Sequence, residues 1–156
     1  MMPPSHAAAL GLVYTWTSAT PGAPGRARTA LRRALERLEL SEDVITDAVL
    51  AASELVGNAT DHATGPYEMM LRRTAVELIC EVYDYDPRIP EIPAFPATGV
   101  FAPHPEGRGG GLEALSACLS ERGRGLHIVD QLTGGAWGFR LPGDGTKVAW
   151  MVIPGA

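Results

Sequence analysis

The stretch from Asp43 to Ala63, DVITDAVLAASELVGNATDHA, constrains the fold more than any other part of the chain. Val44, Ala48, Ala51, Ala52, Leu55, Val56 and Ala59 recur at helical spacing, which predicts an amphipathic helix. Ser41, Glu42 and Asp43 supply a capping hydroxyl and two acids for the first turn, where the helix dipole favours negative charge. Glu54, Asn58, Asp61 and His62 fall at steps of three or four and project from roughly one side. That is more polar chemistry than a solvated face requires. An amide beside an acid suits a hard cation or its water ligands, and the acid can also take a proton. On these residues alone, an ordinary polar face that meets water remains the alternative.

Around this helix the chain reads as a single domain. Residues 7–17 predict a first strand, with Val13, Tyr14, Thr15 and Trp16 as strand formers, broken by Pro21, Gly22, Pro24 and Gly25. Arg26 to Leu40 predicts a helix whose stripe is Ala27, Ala30, Leu31, Ala34, Leu35 and Leu38. Thr64-Gly65-Pro66 ends the Asp43 helix, with glycine as the C-terminal stop and proline forbidding continuation. Tyr67 to Arg73 and Ala75 to Tyr85 read as two strands, and the short Arg73-Thr74 link suggests a hairpin. The second strand ends in Asp84-Tyr85-Asp86-Pro87-Arg88, where Pro87 stops pairing.

Residues 89–122 read as a long loop, irregular except for a short helix at Leu112 to Leu119. A connection of that length inside a small domain is usually a lid or binding loop. Gly123-Arg124-Gly125 leads into a helix from Leu126 to Leu132. Ala136 to Leu141 and Lys147 to Ile153 form a last hairpin, turned by Pro142-Gly143-Asp144-Gly145. This order predicts an α/β (α+β) two-layer sandwich, with a mixed, mostly antiparallel sheet of about five strands and helices on one face.

Bulk properties exclude several function classes. The length of 156 residues suits one domain (1–156) with one sizeable core. A net charge of -5 argues against general electrostatic affinity for nucleic acid or anionic membrane. Arg26, Arg28, Arg32 and Arg33 make a basic patch, but no helix-turn-helix pattern accompanies it, so no direct nucleic-acid contact is expected. No apolar run approaches membrane-spanning length, and the opening MMPPSHAAALGLVYTW lacks the basic flank and long apolar core of a secretion signal. Cys80 and Cys118 have no metal-ligand spacing and read as reduced packing residues of a cytoplasmic protein. His6 and His104 have no suitably spaced partners.

Two further sites join the polar helix. Asp84 ends a buried strand, where a carboxylate can accept a hydrogen bond from an amino group such as that of adenine. Turn chemistry explains it equally well. Gly123 and Gly125 open a helix, where small residues let backbone N–H groups approach phosphate and the helix end favours negative charge. The pattern is neither the Rossmann fingerprint nor a G-x-x-x-x-G-K-[ST] phosphate loop. The run Gly107-Arg108-Gly109-Gly110-Gly111 can also bind phosphate or act as a hinge in a mobile lid.

Taken in order, these segments resemble a known superfamily. ELVGNATDHA looks like the N box of the GHKL ATPases (the Bergerat fold), VYDYDPRIP like their G1 box and ERGRGLHIVDQL like their G2 box. The likeness is nearest to the small anti-sigma-factor serine/threonine kinases of actinobacterial type, through Ser53 to Ala63, Asp84 to Pro90, Gly123 to Asp130, and Trp137-Gly138. It runs from about Arg26 to Ile153. The resemblance implies that Asn58 ligates Mg²⁺ bridging the phosphates of ATP, and that Glu54 is the catalytic base that orients and deprotonates the attacking hydroxyl. Asp84 receives the adenine amino group, Gly123 and Gly125 bring amides to the phosphates, and Thr146 helps hold adenine. His62, Arg88, Arg124 and Leu126 fall inside the matching boxes and complete the implied nucleotide-binding set.

The resemblance further implies a regulatory kinase that holds a sigma factor inactive, phosphorylates a serine of an anti-anti-sigma (STAS-type) protein and pairs as a homodimer. The alternative is a nucleotide-binding, partner-switching module with no transfer activity. Asp61 stands where relatives often carry a basic residue, and its charge near a triphosphate would weaken ATP binding. Gly57 costs the helix about 1 kcal/mol relative to alanine and loosens the site or makes room for a ligand. The lid is longer than expected. Its glycine run mimics the G2 box, so Val129-Asp130 and the spacing to Trp137 are what favour Gly123 over Gly109.

Overall fold

The computed structural model describes residues 9–89 and 121–156. The expected Leu112 to Leu119 helix, most of the expected lid, the Gly107 to Gly111 run, Cys118, His6 and His104 lie outside the described residues.

Five strands, β1 (Ala9–Trp16), β2 (Tyr67–Arg73), β3 (Leu78–Asp84), β4 (Trp137–Arg140) and β5 (Lys147–Val152), form one sheet ordered β1-β2-β3-β5-β4. Every pairing among them is antiparallel. β4 runs in the same direction as β3, but β5 lies between them and no parallel contact forms. The described helices are α1 (Ala23–Arg37), α2 (Glu42–His62) and α3 (Glu121–Thr133).

Local chemistry sets the ends of these elements. Ser41 caps α2, its hydroxyl accepting from the Val44 N–H at 3.2 Å. α1 starts earlier than the sequence suggests: Gly22, at φ 65°, caps it, and Pro24 sits in the first turn, where a missing N–H costs little. It also ends earlier, before Glu39 at φ 61°. Gly65 is not the expected left-handed stop, because the α2 cap is Ala63 in an extended conformation. Gly65 is required by close approach instead, since a Cβ there would stand 2.7 Å from the Tyr67 ring. β3 begins at Leu78 rather than Ala75 because Thr74 closes a turn, its N–H bonding the Glu77 carbonyl at 2.8 Å.

Period-two alternation assigns the two sheet faces. Met69, Leu71, Leu78, Cys80, Val82, Ala149 and Met151 join Leu31 and Leu35 of α1, Ala52, Leu55 and Val56 of α2, and Leu126 and Val129 of α3 in one core. The helices therefore cover one face, as expected. On the other face Glu81, only 2% exposed, accepts from Arg72 and Arg140 and from the Tyr83 hydroxyl. Asp84 and Lys147 pair across β3 and β5. They continue the inward rows of Val82 and Ala149, so the polar end of the core face lies at the carboxyl end of β3.

Candidate functional site

α2 and α3 meet at the first half of the site. Ala51, Ala52, Leu55, Val56 and Ala59 anchor α2 in the core, leaving Glu54 and Asn58 half-buried on its flank. Gly125 of α3 lies against Glu54, and a Cβ at that glycine would come 2.6 Å from Glu54 Oε1. Gly125 thus makes room for the Glu54 carboxylate as α3 packs, a role that sequence reasoning assigned only toward phosphate. Among the described residues, Asn58 Oδ1 is buried without a hydrogen-bond partner. Leaving such an oxygen unpaired costs about 1–3 kcal/mol. It fits a hard cation that takes few protein ligands and keeps several waters, the coordination habit of Mg²⁺.

The second half is built on the turn after β3. Asp84 is 2% exposed, and its Oδ1 accepts from the Asp86 N–H at 2.8 Å. Burial pushes its pKa above the usual carboxylate range, while the Asp86 N–H and the Lys147 ammonium pull it back. Asp86, itself buried, is engaged by the exposed Arg88 side chain, accepting from Nε at 2.9 Å and Nη2 at 2.8 Å. Those bonds hold its carboxyl well below the ordinary range. Lys147 Nζ stands 3.6 Å from Asp84 Oδ2 and donates to the Arg88 carbonyl at 2.8 Å.

Tyr67 ties the two halves together. Its hydroxyl donates to the Ala63 carbonyl at the end of α2 at 2.7 Å, its ring stacks on Trp16, and the Trp16 indole donates to Thr60 at 2.9 Å. Burial raises the Tyr67 pKa, with Asp84 and Asp61 adding in the same direction. Asp84 and the C-terminal end of α2 therefore sit close to the same phenol.

The remaining expected residues are placed as follows. Gly123 and Gly125 lie inside α3, which starts at Glu121, rather than in a loop ahead of it. The glycines occupy the opening turns because a helix tolerates them where tertiary packing supplies the stability. Arg124 is within the same helix, and Leu126 is a core residue. Arg88 is 84% exposed and engaged with Asp86. His62 and Asp61 are exposed at the end of α2. The Thr146 hydroxyl is buried and donates to Asp144 within its own turn, which leaves its lone pairs as acceptors.

Two features escaped the sequence reading. Lys147 was legible in principle, since period two puts it on the core face of β5 with Ala149 and Met151. Asp130 was read only as part of a motif; its Oδ1 accepts from the Trp137 indole at 2.8 Å, fastening α3 to β4.

Among the described residues no helix is long and apolar enough to cross a membrane. No curated protein matches the chain. The family model for the histidine kinase-like ATPase domain matches residues 17–151, which takes in every described helix, β2, β3, β4 and all of β5 but Val152, and leaves out β1. With the antiparallel sheet, the helix-covered face and an acid-and-amide helix beside a strand-ending aspartate, this chain belongs to the histidine kinase-like ATPase domain family and is an ATP-binding domain of the GHKL type.

Proposed function

We propose that this domain binds ATP with magnesium and serves as a regulatory serine kinase of the anti-sigma type. In that role a homodimer holds a sigma factor inactive and phosphorylates a serine on a STAS-type anti-anti-sigma protein. The observation that carries the reading is the buried Oδ1 of Asn58, unpartnered among the described residues, one turn from Glu54, whose carboxylate packs against α3. Asn58 would hold the cation, which when bound neutralises charge on the phosphates. Glu54 would take the proton from the serine hydroxyl as that oxygen attacks the γ-phosphorus and ADP leaves. Asp84 would accept from the adenine amino group, with the lone pairs of Thr146 available beside it. Catalysis of this kind is mostly positioning. Asp61 is exposed, so solvent screens its repulsion toward a triphosphate.

The test measures γ-phosphate transfer to a cognate antagonist by wild type and Glu54→Ala, alongside ATP titrations with and without magnesium. Transfer by wild type alone, with ATP still bound by the variant, is the expected result. ATP binding without transfer by either protein would replace the kinase with a partner-switching module. Asn58→Ala should lose magnesium-dependent ATP binding and keep its circular dichroism spectrum. Loss of folding in that variant would sink the placement of Asn58 at the pocket.

A further inference from the structure

Lys147 is buried to 4% exposure, and the site as described so far gives it no task. An ammonium at the start of an apolar strand is expensive to bury unless it is well partnered. Its partners are all in one place. Nζ faces Asp84 Oδ2 across the β3–β5 pair at 3.6 Å, donates to the Arg88 carbonyl at 2.8 Å and lies 5.7 Å from the centre of the Phe139 ring. Lys147 thereby grips both ends of the turn that presents Asp84. Oδ1 of Asp84 is occupied by the Asp86 N–H. A carboxylate offers about four lone-pair sites, so one more donor can still be accepted.

Resting on the adenine-nucleotide reading above, we propose that Lys147 is a positioning residue: it keeps Asp84 an anion and aims its free lone pair, so that the base pocket accepts a purine bearing an exocyclic amino group and rejects its keto counterpart. The chemistry turns on one proton. An ionised Asp84 only accepts hydrogen bonds, and it pairs with the amino group of adenine. A protonated Asp84 presents an O–H donor, which opposes that amino group and suits the keto oxygen of hypoxanthine instead. Burial drives Asp84 toward the protonated form, and Lys147 opposes it. Among the described residues, the other charged or titratable groups about Asp84 are Asp86 and Arg88 on its own turn and Tyr67 on β2. Asp86 works against ionisation of Asp84 by its charge and for it by its N–H, and Arg88 is turned to Asp86. Lys147 is the ion-pair partner of Asp84 among the described residues.

The experiment compares ADP and IDP affinities by calorimetry, from mildly acidic to mildly alkaline pH, for wild type, Lys147→Arg and Lys147→Met. Wild type and Lys147→Arg should prefer ADP throughout. In Lys147→Met the preference should fall about tenfold, the gap between a charge-assisted and a neutral hydrogen bond, and the loss should deepen toward acid. A folded Lys147→Met with the wild-type ADP-to-IDP ratio and pH profile overturns the assignment. If wild type binds neither nucleotide, the adenine reading fails first and takes this inference with it, a result readily told apart from a variant-specific one. Should Lys147→Met not fold, Lys147→Gln is the milder neutral replacement. Carbon-13 NMR of the Asp84 carboxyl in wild type adds a direct check: a protonated signal at neutral pH overturns the proposal.

Discussion

At the scale of single residues, the site is governed by which polar atoms have partners and which do not. Asn58 Oδ1 has none among the described residues, whereas both oxygens of Asp86 are taken by Arg88. The Glu54 and Gly125 contact yields a sharp test. In Gly125→Ala the new methyl would crowd Oε1, the free end of a flexible side chain, and no backbone atom. The fold should survive with an unchanged or raised Tm while the carboxylate swings aside, and phosphate transfer should fall by about tenfold to a hundredfold, the usual cost of misplacing a reacting group. Wild-type transfer in a folded variant would remove Glu54 from its assigned position. Asp86 supplies a pH test. Its folded pKa is depressed, so it adds stability that is present above its unfolded value near 3.8 and is lost as pH falls toward the folded value. Denaturant melts should therefore show wild type more stable than Asp86→Asn at neutral pH, with the gap closing in acid. Cys80 follows the opposite rule: burial pushes its thiol up to about 12, which makes it an inert packing residue.

At the scale of elements, α2 does most of the positioning, and its sequence announced this. Helical periodicity, the Ser41 cap and the flanking acids were all legible, because each acts within one or two turns. Gly57 was the element's open question. A Cβ there meets nothing within 4 Å, so the glycine serves no packing contact among the described residues. Gly57→Ala should raise stability by about 0.5–1 kcal/mol through helix propensity, measured by thermal or denaturant unfolding. A loss of stability would mean that the space is filled in the folded protein. The ends of elements were less legible. Pro24 looked like a breaker and proved to start α1, and Gly123 and Gly125 looked like a loop and proved to lie inside α3. Proline suits the first turn of a helix, whereas glycine is only tolerated within one, and in both cases neighbouring packing chooses.

At the scale of the whole molecule, the sheet carries two different faces. The inner face supplies the core and, at its polar end, the Asp84–Lys147 pair. The outer face holds Glu81 beneath two arginines whose side chains are 33% and 44% exposed. Replacing Glu81 with alanine would leave both arginines and the Tyr83 hydroxyl without their shared acceptor. We expect a loss of about 2 kcal/mol, less than the roughly 3–5 kcal/mol of a fully buried pair because water reaches the arginines. Equilibrium unfolding of Glu81→Ala checks this, and an unchanged midpoint would show that the cluster is solvated in solution.

The sequence by itself determined the order of strands and helices, the helix-covered face, and the polar set on α2, since all of these follow from short-range periodicity and capping. It did not determine that β5 inserts between β3 and β4, that Gly125 yields its space to Glu54, or that a lysine stands opposite Asp84. Those depend on pairing between segments far apart along the chain, where many partners compete and only the packed core selects one.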